Sequence, residues 1–273
     1  MTRSPTELAT LATLFHGLHA DGLLRLPNAW DAGTARLARD AGARAVATSS
    51  AAVAWAHGWP DGDALPIELL LQTVRAIAGA VDVPVTVDIE GGYSDDPARV
   101  GELVSAAIDA GGVGINIEDG AADPALLCAK IAAARAAAKG RGVDLFINAR
   151  TDVFLRGLAP AGERAAEVAR REALYRAAGA SGIFAPGIAD DADIAAVVAA
   201  VRLPLNVMAR PTIDPSRLQA LGVRRYSAGS SISEAVLGLA HAMMREFVAT
   251  GRVDALGVKP MGYSDLNAVM KRG

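Results

Sequence analysis

The sequence predicts an α/β chain folded as a (β/α)8, TIM-type barrel. Three observations point there. Short β-rich runs that end in polar residues alternate eight times with Ala-rich helical stretches, without interruption. The 273 residues suit one barrel of about 250. No Gly-x-Gly-x-x-Gly follows the first strand, so the open doubly wound sheet, which alternates in the same way, lacks its usual mark.

The strands are expected at Leu23–Pro27, Ala45–Thr48, Val85–Ile89, Gly114–Ile117, Leu145–Ala149, Gly182–Phe184, Leu205–Met208 and Arg225–Ser227. Helices are expected after them at Thr34–Asp40, Ile67–Ala80, Pro97–Ala110, Pro124–Ala138, Gly162–Ala178, Asp191–Ala200, Pro215–Leu221 and Ser233–Ala249. Pro97 starts its helix and Gly111 follows the end, the usual start and stop chemistry. Pro5–His19 reads as an extra helix at the barrel bottom. Residues 1–251 form one catalytic domain in this reading, and 252–273 a C-terminal helical tail. The tail carries Met261, Tyr263, Leu266, Val269 and Met270 with no barrel position left to fill. A neighbouring subunit is the expected place for it, hence a homo-oligomer.

Composition excludes several function classes. Lys and Arg number 27 against 30 Asp and Glu, for a net charge of −3, so no broad polyanion-binding surface and no nucleic-acid partner are expected. The single cysteine, Cys128, makes neither an internal disulfide nor a thiolate zinc cluster, which suits a reducing, cytoplasmic compartment. No apolar run reaches the ~18–20 residues of a membrane span, and no signal peptide is legible, so no membrane partner is expected.

In such a barrel the chemistry sits where the strands end. The third strand ends in Asp88-Ile89-Glu90, the fourth in Asn116-Ile117-Glu118-Asp119 and the fifth in Asn148-Ala149-Arg150-Thr151-Asp152. Alternation puts Asp88 with Glu90, Asn116 with Glu118 and Asn148 with Arg150 on the inward face. Three carboxylates against one arginine repel in a confined site, and a hard divalent cation relieves that repulsion. Carboxylates without thiolate or imidazole favour Mg2+, with Mn2+ possible, over zinc. Asp119 and Asp152 read instead as salt-bridge or capping residues.

At these residues the chain resembles the isocitrate lyase and phosphoenolpyruvate mutase superfamily, from about Leu23 to Ser230. The resemblance rests on Pro27-Asn28-Ala29-Trp30-Asp31, Thr48-Ser49-Ser50, Trp59-Pro60-Asp61-Gly62, Val87-Asp88-Ile89-Glu90-Gly91-Gly92-Tyr93, Asn116-Ile117-Glu118-Asp119 and Asn148-Ala149-Arg150-Thr151-Asp152, in that order. It implies an (α/β)8 barrel whose C-terminal helix is commonly exchanged between subunits of a dimer or tetramer, and Mg2+-dependent chemistry on small 2-oxo or 2-hydroxy carboxylates. By similarity, Asp61, Asp88, Glu90 and Glu118 form the acidic metal shell, largely through water. Glu90 stands where the characterised lyases and mutases usually have aspartate. Ser49, Ser50 and Ala51 match the segment that holds the substrate carboxylate or enolate oxygen, and Arg150 the arginine that grips substrate. Trp30 and Asn206, at two further strand ends, complete the expected substrate contacts. Arg150, Glu118 and Tyr93 are the expected catalytic set.

The departures narrow the reaction. The lyases carry a Lys-Lys-Cys-Gly-His loop after the fourth strand, whose cysteine is the acid/base. Here the loop is Gly120-Ala121-Ala122-Asp123-Pro124, and Cys128 reads as core. Decarboxylation of an oxaloacetate-like substrate needs only a stabilised enolate and a proton source. It is therefore expected ahead of an isocitrate- or methylisocitrate-type lyase, phosphoenolpyruvate mutase or phosphonopyruvate hydrolase chemistry, or a non-catalytic carboxylate-binding barrel. His57, Tyr93 and Lys130 are the remaining proton carriers to consider. Lys130, His16 and His19 otherwise read as surface residues.

Overall fold

The computed structural model describes residues 3–253, 257 and 259–271. Parts of the expected tail, residues 254–256, 258 and 272–273, lie outside them. The strands are β1 Leu24–Leu26, β2 Asn28–Ala29, β3 Val46–Thr48, β4 Val85–Asp88, β5 Gly114–Glu118, β6 Phe146–Arg150, β7 Gly182–Phe184, β8 Leu205–Met208 and β9 Arg225–Ser227. All pair in parallel, in the order β1-β9-β8-β7-β6-β5-β4-β3-β2. The expected first strand is thus split at Pro27. A proline has no N–H to give to a ladder; its carbonyl accepts from Ala47 N–H instead. The half before it pairs with the last strand and the half after it with β3, which brings the two ends of the barrel together.

The helices are α1 Pro5–Gly17, α2 Ala32–Asp40, α3 Ser50–Ala56, α4 Ile67–Ala78, α5 Pro97–Asp109, α6 Pro124–Gly140, α7 Val153–Arg156, α8 Arg164–Ala178, α9 Asp191–Ala200, α10 Pro215–Ala220, α11 Ser231–Thr250 and α12 Tyr263–Met270. Three of them start alike. Asp96, Asp123 and Asp214 cap α5, α6 and α10, each accepting a backbone N–H two residues on, and a proline follows each cap. Two short helices, α3 and α7, lie in the loops after β3 and β6.

Helix α1 plugs the bottom of the barrel with Leu8, Ala12 and Phe15. Phe15 meets Phe146 edge-on with ring centroids 5.3 Å apart, and His19 stacks on Phe146 at 3.9 Å. His19 is therefore buried, not the surface residue its place on the first helix suggested: Leu8, Ala12 and Phe15 share one helical face, and His19, just past the helix end, joins them with its Nδ1 2.7 Å from Phe15 O. Burial pulls its pKa down to about 3. The plug fits because β5 begins with glycine; a Cβ on Gly114 would stand 2.8 Å from the Phe15 ring.

Helix α12 lies on α2 of its own chain, where Arg36 donates to the carbonyls of Val269 and Lys271. Tyr263 and Leu266 of α12 stay exposed, as do Val236, Met244, Phe247 and Val248 of α11. A groove of about 670 Å3 lies beside α11, lined by Leu24, Pro27, Trp30, Leu37, Ile232 and Val236.

Candidate active site

The strand ends on the α3 side of the barrel collect the acids. Asp88 closes β4. Its backbone N–H donates to Thr48 Oγ1 at 2.8 Å, and its carboxylate accepts from Ser50 N–H at 3.2 Å and Glu90 N–H at 3.4 Å. Thr48 is itself held, because Asn28 Nδ2 donates to its carbonyl at 2.7 Å while Asn28 Oδ1 accepts from Gly229 N–H. Ser49 is buried and caps α3, and Ala51 lies half-buried in its first turn. Through Ser50 N–H, the Ser49–Ser50–Ala51 segment stands against Asp88.

Glu118 closes β5 and sits 2.7 Å from Arg150 Nη1 at the end of β6, its partner in register. Arg150 is held again by Asp152, with Nε at 2.8 Å and Nη2 at 3.2 Å from the two carboxylate oxygens, and lies over the Phe184 ring. Burial pushes the Glu118 carboxyl up to about 8 against the pull of Arg150, with Asp88, Asp152 and Glu90 adding repulsion. Burial also raises Asp88, opposed by Arg150. For Arg150, burial is outweighed by Glu118, Asp152 and Asp88, so the guanidinium is held firmly protonated.

Asp152 and Asp119 are buried and bonded, as read from sequence. Asp119 accepts from Asp152 N–H at 3.0 Å, Arg171 Nη1 at 2.7 Å and the Tyr175 hydroxyl at 2.6 Å. Arg171 is held in turn by Glu167. A chain of charge thus runs from Glu118 through Arg150, Asp152 and Asp119 to α8. Arg171 and Tyr175 were not anticipated, although both sit on the buried face of that helix.

Glu90 departs from the inward alternation. β4 ends at Asp88, and Glu90 has a left-handed backbone, φ 52°. Its carboxylate turns to Asp63 N–H and to the Tyr93 hydroxyl, the latter at 3.1 Å. Asp61 stands in the exposed loop beside Asp63, and its charge acts on Asp88 and Glu90. Lys130 is buried, contrary to the surface position expected. Its ammonium donates to Gly91 O at 2.8 Å and Asp95 at 3.1 Å. A cavity of about 400 Å3 opens here, lined by Asp63, Tyr93, Glu118, Leu127 and Lys130 among others. His57 donates to or accepts from Thr73 Oγ1 at 2.8 Å, and Cys128 is half-buried against the core. Trp30 lines the α11 groove and not this cavity.

Deeper in the barrel, Arg225 is fully buried. Its Nη2 donates to Asn116 Oδ1 at 3.0 Å, which also accepts from Asn148, and burial pulls its pKa down to about 9. Asn206 pairs in register with Arg225 and accepts from Ser227 Oγ at 3.2 Å. It lies a layer inside the barrel, below the ends of the strands.

Among the described residues, no three His, Cys, Asp or Glu side chains stand as a ready cage for a metal ion. The three strand-end carboxylates do not converge as alternation suggested, because Glu118 pairs with Arg150 and Glu90 with Asp63 and Tyr93. Asp88 remains, desolvated, with only backbone donors on its oxygens. The donors are carboxylates alone. That set fits a hard divalent cation that takes one carboxylate directly and the others through water.

The family model for phosphoenolpyruvate phosphomutase matches residues 15–248. An uncharacterized protein of Mycobacterium tuberculosis is 36% identical over 235 residues, 84% of this chain and 86% of its own. An oxaloacetate decarboxylase of Paraburkholderia xenovorans is 30% identical over 243 residues, 84% of this chain and 79% of its own. The crystal structure of a putative phosphonomutase from Burkholderia cenocepacia superposes with a TM-score of 0.82 at 40% identity, covering 86% of this chain and 99% of that one. A phosphonopyruvate hydrolase in complex with oxalate and Mg2+ shares the fold, with a TM-score of 0.82 at 23% identity over 94% of each chain. The chain belongs to the phosphoenolpyruvate phosphomutase family, within the isocitrate lyase and phosphoenolpyruvate mutase superfamily of lyases and mutases.

Proposed function

We propose that the protein is a Mg2+-dependent carbon–carbon lyase for a small 2-oxo or 2-hydroxy di- or tricarboxylate, with oxaloacetate-type decarboxylation slightly favoured. The observation that carries this reading is the turn between β5 and α6. Residues 119–123 span it without Cys or His, and Cys128 lies on α6 with its thiol pushed up by burial. The site therefore holds a carboxylate and charge but lacks the lyases' acid/base. The 30% identical decarboxylase supports the same choice.

Bound at Asp88, Mg2+ supplies Lewis-acid stabilisation of the negative charge that develops on the substrate. The chain's own residues do the rest. Arg150, oriented by Glu118 and Asp152, binds the substrate carboxylate. The Ser49–Ala51 segment offers fixed N–H groups beside Asp88, whose value is greatest where charge grows in the transition state. Tyr93 keeps its hydroxyl proton, because burial and Glu90 raise its pKa far above the usual phenol range. The carbanion left by loss of CO2 takes its proton from solvent, so no cysteine is required.

The test is a comparison of pyruvate release from oxaloacetate, isocitrate and 2-methylisocitrate with one enzyme batch, subtracting the Mg2+-only rate for oxaloacetate. Oxaloacetate or a substituted analogue is expected to have the highest kcat/KM, and Cys128→Ser to stay within a few-fold. General acid–base catalysis is worth roughly 10²–10⁴-fold per step, so a tricarboxylate that wins, or a dead Cys128→Ser enzyme, overturns the decarboxylase assignment. The runner-up, an isocitrate- or methylisocitrate-type lyase, draws on one observation: burial pushes the Glu118 carboxyl up to about 8, toward the range suited to proton transfer.

The protein works as a homo-oligomer in this reading, with the exposed apolar face of α11 against a second copy. Val248 is 85% exposed and Met244 66%, more apolar surface than a monomer leaves open without use. Met244→Glu together with Phe247→Glu is expected to shift the mass in light scattering to that of a single chain. An unchanged mass counts against α11 as the interface. A cytoplasmic location completes the proposal, supported by the lone reduced cysteine. Among the described residues, no helix is long and apolar enough to cross a membrane.

A further inference from the structure

Among the described residues, the left-handed backbones outside glycine fall in one cluster: Asp63 at φ 56°, Glu90 at φ 52° and Tyr93 at φ 59°. A side chain with a Cβ takes such a conformation only where its surroundings hold it there. These three hold one another. Asp63 N–H donates to one Glu90 oxygen and the Tyr93 hydroxyl to the other, at 3.1 Å. The backbone N–H groups of Tyr93 and Gly91 pull the Asp63 carboxyl down against the rise that burial causes. A Cβ on Gly91 would lie 3.2 Å from Asp63 Oδ2, so the turn and the loop are in contact. From beneath, the buried Lys130 ammonium fixes the same turn through Gly91 O at 2.8 Å.

The geometry points to Glu90, Asp63 and Tyr93 as a clasp that fixes the loop 57–66 over the strand ends, with Glu90 a positioning residue and not a metal-binding one. This rests on the Mg2+ reading above, which alone would count Glu90 among the metal-binding acids. Both oxygens of Glu90 accept protein donors, which commits the orientation of the carboxylate to the loop and to Tyr93. The loop it holds carries Asp61, whose charge reaches Asp88 and Glu90. Opening the clasp would move that charge away from Asp88. The longer arm of glutamate suits a clasp, because β4 has ended and the side chain must reach sideways to a neighbouring loop and not inward to the barrel axis.

Two measurements on the full chain separate the roles. Mn2+ alone, titrated by electron paramagnetic resonance, reads the metal site. Subtilisin, a protease of broad specificity, reads the loop, which is exposed from His57 to Asp63, with the nicks located by mass spectrometry. Glu90→Gln keeps an acceptor for one donor but not for both; Asp63→Ala removes the carboxylate. Both are expected to speed nicking at the loop by about tenfold or more, as local opening becomes easier, and to change the Mn2+ Kd by less than about threefold. Asp63→Asn keeps an acceptor and tolerates the left-handed backbone, so its nicking rate is expected to stay near that of the unaltered protein. The clasp stands only if nicking rises while Mn2+ affinity holds. Unchanged nicking, or a Mn2+ affinity that falls tenfold with Glu90→Gln, overturns it. If Mn2+ fails to bind the unaltered protein, or binds Asp88→Asn equally well, the metal reading fails, and the nicking arm still decides whether the loop is clasped.

Discussion

Asp88→Asn is expected to lower metal-dependent turnover by roughly 10²–10³-fold or more, the scale of losing a principal electrostatic group in a buried site, while the fold survives. Asparagine has the same shape and can still accept Ser50 N–H, now at 3.2 Å from an Asp88 oxygen. What it lacks is charge. Among the described residues, the Asp88 carboxylate takes its hydrogen bonds from backbone N–H groups, whereas Glu118 is paired with Arg150 and Glu90 with Tyr93. A desolvated carboxylate left in that state is costly unless a cation accompanies it. The unaltered enzyme stripped with EDTA should fall to the same floor and recover on adding Mg2+, whereas the variant should not recover. Thermal unfolding of the variant should stay within a few degrees of the parent. Full activity in EDTA would sink the metal reading, and a fully active Asp88→Asn would sink the role of Asp88.

Much of this was legible in the amino-acid order, and the failures have physical causes. The barrel strands were found because alternation and polar ends mark them. Pro27 was a visible break, yet only the closed ring shows why it is tolerated: the strand changes partner there. Helices α3 and α7, of seven and four residues, are too short for a 3.6-residue period to register. Lys130 and His19 were misplaced although their periodicity was readable. Lys130 lies with Leu127, Ile131 and Ala134 on one buried face, and His19 follows Phe15 by one turn. Charge prevailed over pattern in that reading, and the structure reverses it by giving each a partner. Glu90 failed differently. Alternation holds only while the strand continues, and nothing in the letters Asp-Ile-Glu-Gly-Gly announces a left-handed glutamate. The role of Asp63 depends on the same turn and was hidden with it. The burial of Arg225 beneath the site depends on a three-residue strand, too short to orient from pattern alone.

Asp119→Ala should have the largest effect on stability among the strand-end residues, and it should reach the substrate indirectly. Asp119 is buried and accepts three donors, from Asp152 N–H, Arg171 and Tyr175. Removing one partner of a buried ion pair typically costs about 3–5 kcal/mol, because the other charge stays behind unsolvated. Glu167 still holds Arg171 Nε at 2.6 Å, which places the expected loss toward the lower end of that range. At about 2–4 °C per kcal/mol for a chain of this size, unfolding should drop by on the order of 10 °C. Asp119→Asn keeps an acceptor and should lose less. The same acid holds the backbone of Asp152, whose carboxylate fixes Arg150 by two hydrogen bonds of 2.8 and 3.2 Å. Loosening Asp152 therefore lets the guanidinium drift from the position in which it meets the substrate carboxylate. The kinetic signature should be a raised KM, about tenfold, with kcat less affected, because Arg150 binds the substrate in both ground and transition states. A double-mutant cycle with Arg171→Met should show strong coupling in stability, since both changes break one contact. If Asp119→Ala unfolds at the parent temperature, or if kcat falls while KM holds, the chain of charge from α8 to Arg150 does not position the arginine.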